Sequence, residues 1–182
     1  SGNLGLGDVV NSGVITMGGS IALAGDVTLT LLSGGTISGA MDGAFGFTKS
    51  GNAELTLSGV NTSSGTLTVD AGVLSLVGGS AVADAAVVRV NEVGTLRLGA
   101  PEEIASLLGT GSVDLQSYSL TIGGAVGGNV FAGAIGGSGS LIKVGGGEQI
   151  LGGTNTFSGG LYVEAGTLRL DAENALLASG SV

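Results

Sequence analysis

One offset governs this sequence. Shifting the chain by 94 residues (143 − 49) lays Gly39, Ala40 and Gly43 on Gly133, Ala134 and Gly137. The same shift lays Lys49, Gly51, Glu54 and Leu57 on Lys143, Gly145, Glu148 and Leu151. It runs on without a gap through Gly59/Gly153, Asn61/Asn155, Thr62/Thr156, Ser64/Ser158 and Gly65/Gly159. Leu67, Val69, Ala71, Gly72, Leu74 and Leu76 then fall on Leu161, Val163, Ala165, Gly166, Leu168 and Leu170. The copies occupy 37–76 and 131–170. They share Lys, Glu and Asn as well as glycine, so compositional bias does not account for them.

Inside each copy the pattern is strand, turn, strand. Leu67 and Val69 alternate with Thr66 and Thr68, which makes one face apolar, and Leu74 and Leu76 continue after the turn Asp70-Ala71-Gly72. A hairpin across that turn is compatible with the local pattern. The larger pattern favours stacking, because a recurring unit that cannot bury its own apolar face is buried by its neighbours. Val27-Thr28-Leu29-Thr30-Leu31, Val88-Arg89-Val90 and Thr95-Leu96-Arg97-Leu98 repeat the alternation outside the copies. The expected fold is all-β, a right-handed parallel β-helix spanning 1–182 as one segment. Four coils of about 23 residues fill the offset, and seven or eight coils make a rod about 35 Å long. Pro101-Glu102-Glu103-Ile104-Ala105-Ser106-Leu107-Leu108 departs from the pattern. It reads as a short helical excursion over 101–108, with proline and acids in the first turn.

Composition narrows the class further. Glycine supplies 39 of 182 residues, aromatics 3% and charged residues 10%. Collagen is excluded by a single proline and no Gly-X-Y period. Disorder is excluded by 43% hydrophobic residues. The interior filler is aliphatic, as a narrow solenoid requires. A net charge of −9 with five cations argues against a nucleic-acid partner. With no cysteine, stacking rather than disulfides must hold the fold. Ser1-Gly2 opens without a charged and apolar leader pattern, and Leu177-Ala178-Ser179-Gly180-Ser181-Val182 stops on an apolar residue. The chain is therefore expected to be an excised part of a longer protein.

The stretch Lys143 to Leu170, with Gly153-Thr154-Asn155-Thr156-Phe157-Ser158-Gly159 at its centre and Val163-Glu164-Ala165-Gly166-Thr167-Leu168-Arg169-Leu170 behind it, resembles the passenger-associated transport repeat of bacterial autotransporters, the type V secretion systems. Lys49 to Leu76 resembles it with drift. Ser63 stands where the family prefers an aromatic, and Gln149 replaces the strand leucine that Leu55 supplies. The resemblance implies a β-helical passenger exported through the Gram-negative outer membrane to the cell surface. A C-terminal β-barrel, absent from this chain, would carry it. In that family the repeat is associated with secretion and folding, and members are often adhesins, aggregation factors or carriers of enzyme domains.

Each polar position admits a structural reading. Asn61 and Asn155 fit turn caps. Lys49/Lys143 and Glu54/Glu148 fit outward pairs that solubilise the coil and guard its edges. Glu102-Glu103 fits a helix start rather than an acid/base pair. Histidine is absent, so a Ser-His-Asp triad is impossible and zinc lacks a ligand set. Gly136-Gly137-Ser138-Gly139-Ser140-Leu141 has serine where a calcium repeat needs aspartate. No Gly-Lys-Ser/Thr makes a phosphate loop. Asn61-Thr62-Ser63 matches a glycosylation triplet that arises often by chance. No catalytic, cofactor-binding or metal-ligating residue is assigned. The expected function is a non-enzymatic stalk that supports secretion and display, with a host-surface or self-association partner. The alternative is a β-helical polysaccharide-processing enzyme, which needs carboxylates gathered on one face; here 14 acids are scattered.

Overall fold

The computed structural model describes residues 9–11, 13–124, 127–171 and 176. The chain winds as a parallel β-solenoid of about eight coils, and every strand pairing is parallel. Strands stack on three faces of the rod, the third in two separate ladders. The first face stacks Val9–Asn11, Val27–Leu31, Phe47–Ser50, the first halves of Leu67–Leu76 and Val87–Leu98, Ser106–Gly109, Asn129–Phe131, Glu148–Leu151 and Thr167–Leu170. The second stacks Ile15–Met17, Gly35–Ile37, Glu54–Leu57, the second halves of the two long strands, Ser112–Asp114 and Ala134–Gly136. The third holds Ile21–Ala22 and Met41–Asp42, then Glu102–Ile104, Leu120–Ile122, Leu141–Lys143 and Leu161–Val163.

Alternation decides which side chains go inside. Val27, Leu29 and Leu31 are buried, while Thr28 and Thr30 between them face out. Leu55 and Leu57, Leu74 and Leu76, and Leu96 and Leu98 fill the lumen in register beneath Ile37. Each coil buries its apolar row only because the coils above and below close it, as expected of a solenoid.

The coil is shorter than the sequence suggested. Val27 pairs with Phe47 and Phe47 with Leu67, 20 residues apart each time. The 94-residue offset is then about four and two-thirds coils rather than four. Lys49 lies on the first face, in the third coil, and Lys143 on the third face, in the seventh. The two copies of the repeat are thus rotated by a third of a turn. Lys49 and Lys143, Leu57 and Leu151, and Asn61 and Asn155 are inward in both, since each face looks onto the same lumen, whereas Val163 and Leu170, the matches of buried Val69 and Leu76, are exposed.

The segment 101–108 is not helical; no helix occurs among the described residues. Glu102–Ile104 pairs with Leu120–Ile122 and Ser106–Gly109 with Val87–Val90. Proline sits just before the strand, where it interrupts no ladder. Glu102 and Ile104 point inward two residues apart, a strand spacing that pairing with Leu120–Ile122 of the next coil reinforces.

Candidate functional site

The repeat's polar residues gather inside the rod rather than on it. Lys49 and Lys143 are fully buried, which corrects their reading as outward residues. The Lys49 ammonium donates to the Gly51 carbonyl at 2.5 Å and, across to the next coil, to that of Ala71 at 2.7 Å. Lys143 donates to the carbonyls of Val144 and, at 3.0 Å, Gly145. Gly51 and Gly145 are equivalent positions. Each has a positive φ, 77° and 68°, and a Cβ there would meet the backbone oxygen of Leu31 or Gly123 at 2.2 or 2.0 Å. The tight turn after the strand therefore aims carbonyls into the lumen, and the lysine answers them. Burial lowers the Lys49 pKa to about 8, partly opposed by the Asp70 carboxylate; burial lowers that of Lys143 too.

Asn61 and Asn155 are buried as well. Asn61 Oδ1 accepts from the Met41 N–H at 2.6 Å, and its Nδ2 donates to the Ala81 carbonyl at 2.6 Å. One amide thereby joins three successive coils, 20 residues to either side. Asn155 Oδ1 accepts from the Ile135 N–H at 3.0 Å, the equivalent of Met41, and its Nδ2 donates to Gly153. The cap reading holds in kind, but apart from the Gly153 carbonyl the groups capped belong to neighbouring coils. The Asn61 amide is occupied and buried, so the folded chain does not offer it for glycosylation. The glycine of this loop has its reason in the same stacking: a Cβ on Gly59 or Gly153 would lie 2.2 or 2.0 Å from the oxygen of Gly39 or Gly133.

Gln149 occupies the position of Leu55, and the strand Glu148–Leu151 forms regardless. Its side chain is buried and acts as a substitute backbone. Oε1 accepts from the Leu107 N–H at 3.2 Å, and Nε2 donates to the Leu107 carbonyl at 2.9 Å and the Asn129 carbonyl at 3.1 Å. Ser106–Gly109 and Asn129–Phe131 pair only at Gly109 and Phe131, so Leu107, which has Val88 on one side, lacks a strand partner on the other. The glutamine reaches from 42 residues away to fill that gap.

Glu102 is likewise buried. Its Oε1 accepts from the Val82 N–H at 2.8 Å, while Oε2 is buried without a partner. Burial is the main cause that raises its pKa to about 7; the N–H groups of Val82 and Ala81 oppose the rise and Asp84 adds to it. Adjacent Glu103 points outward, so the two carboxylates do not converge. On the surface, Glu54 pairs with Arg97 two coils on, at 3.4 Å, and accepts from Ser75 at 2.5 Å; Arg97 also faces Asp114 at 3.6 Å. Lys49 is not its partner. Glu148 is half-buried opposite Thr167.

Open space is sparse. An apolar cavity of about 20 Å³, lined by Met41, Phe47, Leu57, Leu67, Ala81 and Val82 among others, has room for about one water. Among the described residues no three His, Cys, Asp or Glu side chains are grouped to hold a metal. A shallow polar groove of about 450 Å³ runs past Asp26, Thr48 and Thr68, and the Asp26 carboxylate is already bonded to the Gly46 N–H at 2.7 Å.

Inward Gln149 and Glu102 were missed as lumen residues by sequence reasoning. The signals were present. Gln149 stands in a leucine register, and Glu102-x-Ile104 has strand period. Comparison with protein families matches residues 47–76 and 141–170 to the passenger-associated-transport-repeat. No curated protein and no solved structure matches the chain. The matched stretches begin two residues before Phe47's lysine neighbour Lys49 and before Lys143, and each ends at the second-strand leucine, Leu76 or Leu170. Two copies of that repeat, wound into one parallel solenoid, are consistent with an autotransporter passenger domain.

Proposed function

We propose that the chain is a stalk segment of a secreted passenger, a non-catalytic scaffold whose repeats stabilise coil stacking during and after export to the cell surface. One observation carries this reading. The two copies lie on different faces of the rod yet keep the same inward lysine, asparagine and glycines. A repeat that served outward recognition would return to one face. A repeat that cements coils is free to rotate.

Asn61 needs its neighbouring coils in place: it is satisfied only when coils on both sides are laid down. Coil-by-coil stacking of this kind suits a chain that emerges progressively and must not slip back. The rod then holds adhesive or self-associating surface away from the cell. Among the described residues no group of three or more acidic side chains favours the polysaccharide-enzyme alternative.

The test compares inward and outward substitutions in the full-length passenger displayed on Gram-negative cells. Asn61→Ala with Asn155→Ala is expected to reduce protease-accessible surface passenger severalfold. Thr48→Ala with Thr68→Ala, on the outside, is expected to leave it unchanged. Equal display of both variants would remove the basis for this function.

A further inference from the structure

Over the third and fourth coils the third face has no strand: none is present between Met41–Asp42 and Glu102–Ile104. Side chains stitch the face instead. The third and fourth coils are joined there by the Asn61 N–H to the Ser80 carbonyl at 3.0 Å and by the Asn61 amide to Ala81. The fourth and fifth are joined at the corners by Gly99 N–H to Leu76 and Ala105 N–H to Ala86. Between those corners the link across is the Glu102 carboxyl to the Val82 N–H.

That carboxyl is a poor choice for a permanent link. One oxygen is buried and unpartnered. The charged group that faces it from the adjacent loop is Asp84, of the same sign, and Glu103 beside it points away. The strand on its other side, Leu120–Ile122, carries no ionisable group. The cations are committed elsewhere or distant on the first face: Lys49 and Lys143 to turn carbonyls, Arg97 to Glu54 and Asp114, Arg169 to Asp171, with Arg89 exposed. Asparagine, used for the same task at residue 61, has no charge to lose.

We propose that Glu102 is a proton-operated latch: protonated, it fastens the loop 77–86 to the fifth coil; ionised, it lets that loop part from the rod. A carboxyl whose pKa is raised by burial prefers the closed, neutral state. The direction follows from proton linkage. The closed state binds the proton more tightly than the open one, so closure strengthens as pH falls from about 7 to the ordinary glutamate value of 4.5. The loop is therefore loosest at neutral pH and tightest in mild acid, opposite to the acid-loosening that paired carboxylates produce.

Amide hydrogen exchange on the full 182-residue chain tests this, read at Val82 and the neighbouring loop amides. Protection at Val82, taken relative to Leu96 in the same sample, is expected to rise roughly a hundredfold between pH 7 and pH 4.5. Glu102→Gln keeps an oxygen for the Val82 N–H and cannot ionise, so its relative protection should be high and flat across that range. Asp84→Asn removes the like charge and should move the transition to lower pH without abolishing it. A Glu102→Gln protein with the parent's pH dependence, or a parent whose relative protection is flat or falls on acidification, overturns the proposal. The internal reference at Leu96 keeps the parent measurement decisive even if the variant folds poorly.

Discussion

Replacing Gln149 with leucine is the sharpest perturbation this structure offers. Leucine is what the repeat carries at the equivalent Leu55, so restoring the pattern ought to stabilise the chain if pattern were all. The geometry says otherwise. Gln149→Leu strips the Leu107 N–H and C=O of their partners and also removes a donor from the Asn129 carbonyl. Each buried, unpaired backbone group costs about 1–3 kcal/mol. The two groups on Leu107 alone then cost about 2–6 kcal/mol, and an added buried leucine returns about 1.5–3 kcal/mol. At mid-range values, about 4 kcal/mol lost and about 2 returned, the net expectation is a loss of about 2 kcal/mol, concentrated where the sixth and seventh coils meet. Because solenoids unfold by parts, a single melting midpoint is a blunt readout. Urea titration should be paired with amide exchange at Leu107, whose protection should collapse in the variant. Gln149→Leu as stable as the parent, with Leu107 still protected, would refute the assignment of the glutamine as a backbone substitute.

Other outcomes follow from the same interior. Leu55→Gln is the converse, placing an amide where neighbouring strands are already fully paired, and should cost about 1–3 kcal/mol by chemical denaturation. Gly59→Ala, which drives a Cβ to within 2.2 Å of the Gly39 oxygen, should cost about 1–3 kcal/mol, whereas Gly19→Ala, with open space around it, should cost far less. Lys49 titrates in the folded state near 8, below its ordinary 10.5, so the unfolded chain holds the proton more tightly. Stability should therefore rise between pH 8 and pH 10.5, by at most about 3 kcal/mol. Lys49→Met should flatten that rise in urea midpoints measured across the range.

Much of the fold was legible in the sequence because period-two alternation is a local property. Val27-Thr28-Leu29-Thr30-Leu31 announces its inner and outer faces without reference to any other residue. The parallel stacking was legible through repetition of such units. Coil length was not, because the repeat offset fixes a multiple of the strand unit and not of the coil; with three faces, four and two-thirds coils fit as well as four. The helix expected over 101–108 failed for a related reason. Proline and two acids satisfy a helix start locally, but pairing with parallel strands of other coils settles the matter. The lysines and glutamates looked outward because charge normally does. What answers Lys49 and Lys143 inside the rod are the carbonyls of the turns at Gly51 and Gly145, joined for Lys49 by that of Ala71 in the next coil. Gln149 is the extreme case: its partner lies 42 residues away, across a gap in a ladder no sequence pattern describes.

The stacking itself can be measured with paired cysteines, since the chain has none of its own. Thr48 and Thr68 face outward as direct register partners on adjacent coils, where strand spacing puts their Cα atoms about 4.8 Å apart, inside disulfide range. A hairpin across Asp70-Ala71-Gly72 would instead bring Thr68 beside Leu74. Oxidation of the Thr48→Cys/Thr68→Cys protein should give near-complete intramolecular disulfide, and the Thr68→Cys/Leu74→Cys protein little. The reverse outcome, cross-linking at 68 and 74 but not at 48 and 68, would contradict the parallel 20-residue coil and with it the buried cement on which the proposed function rests.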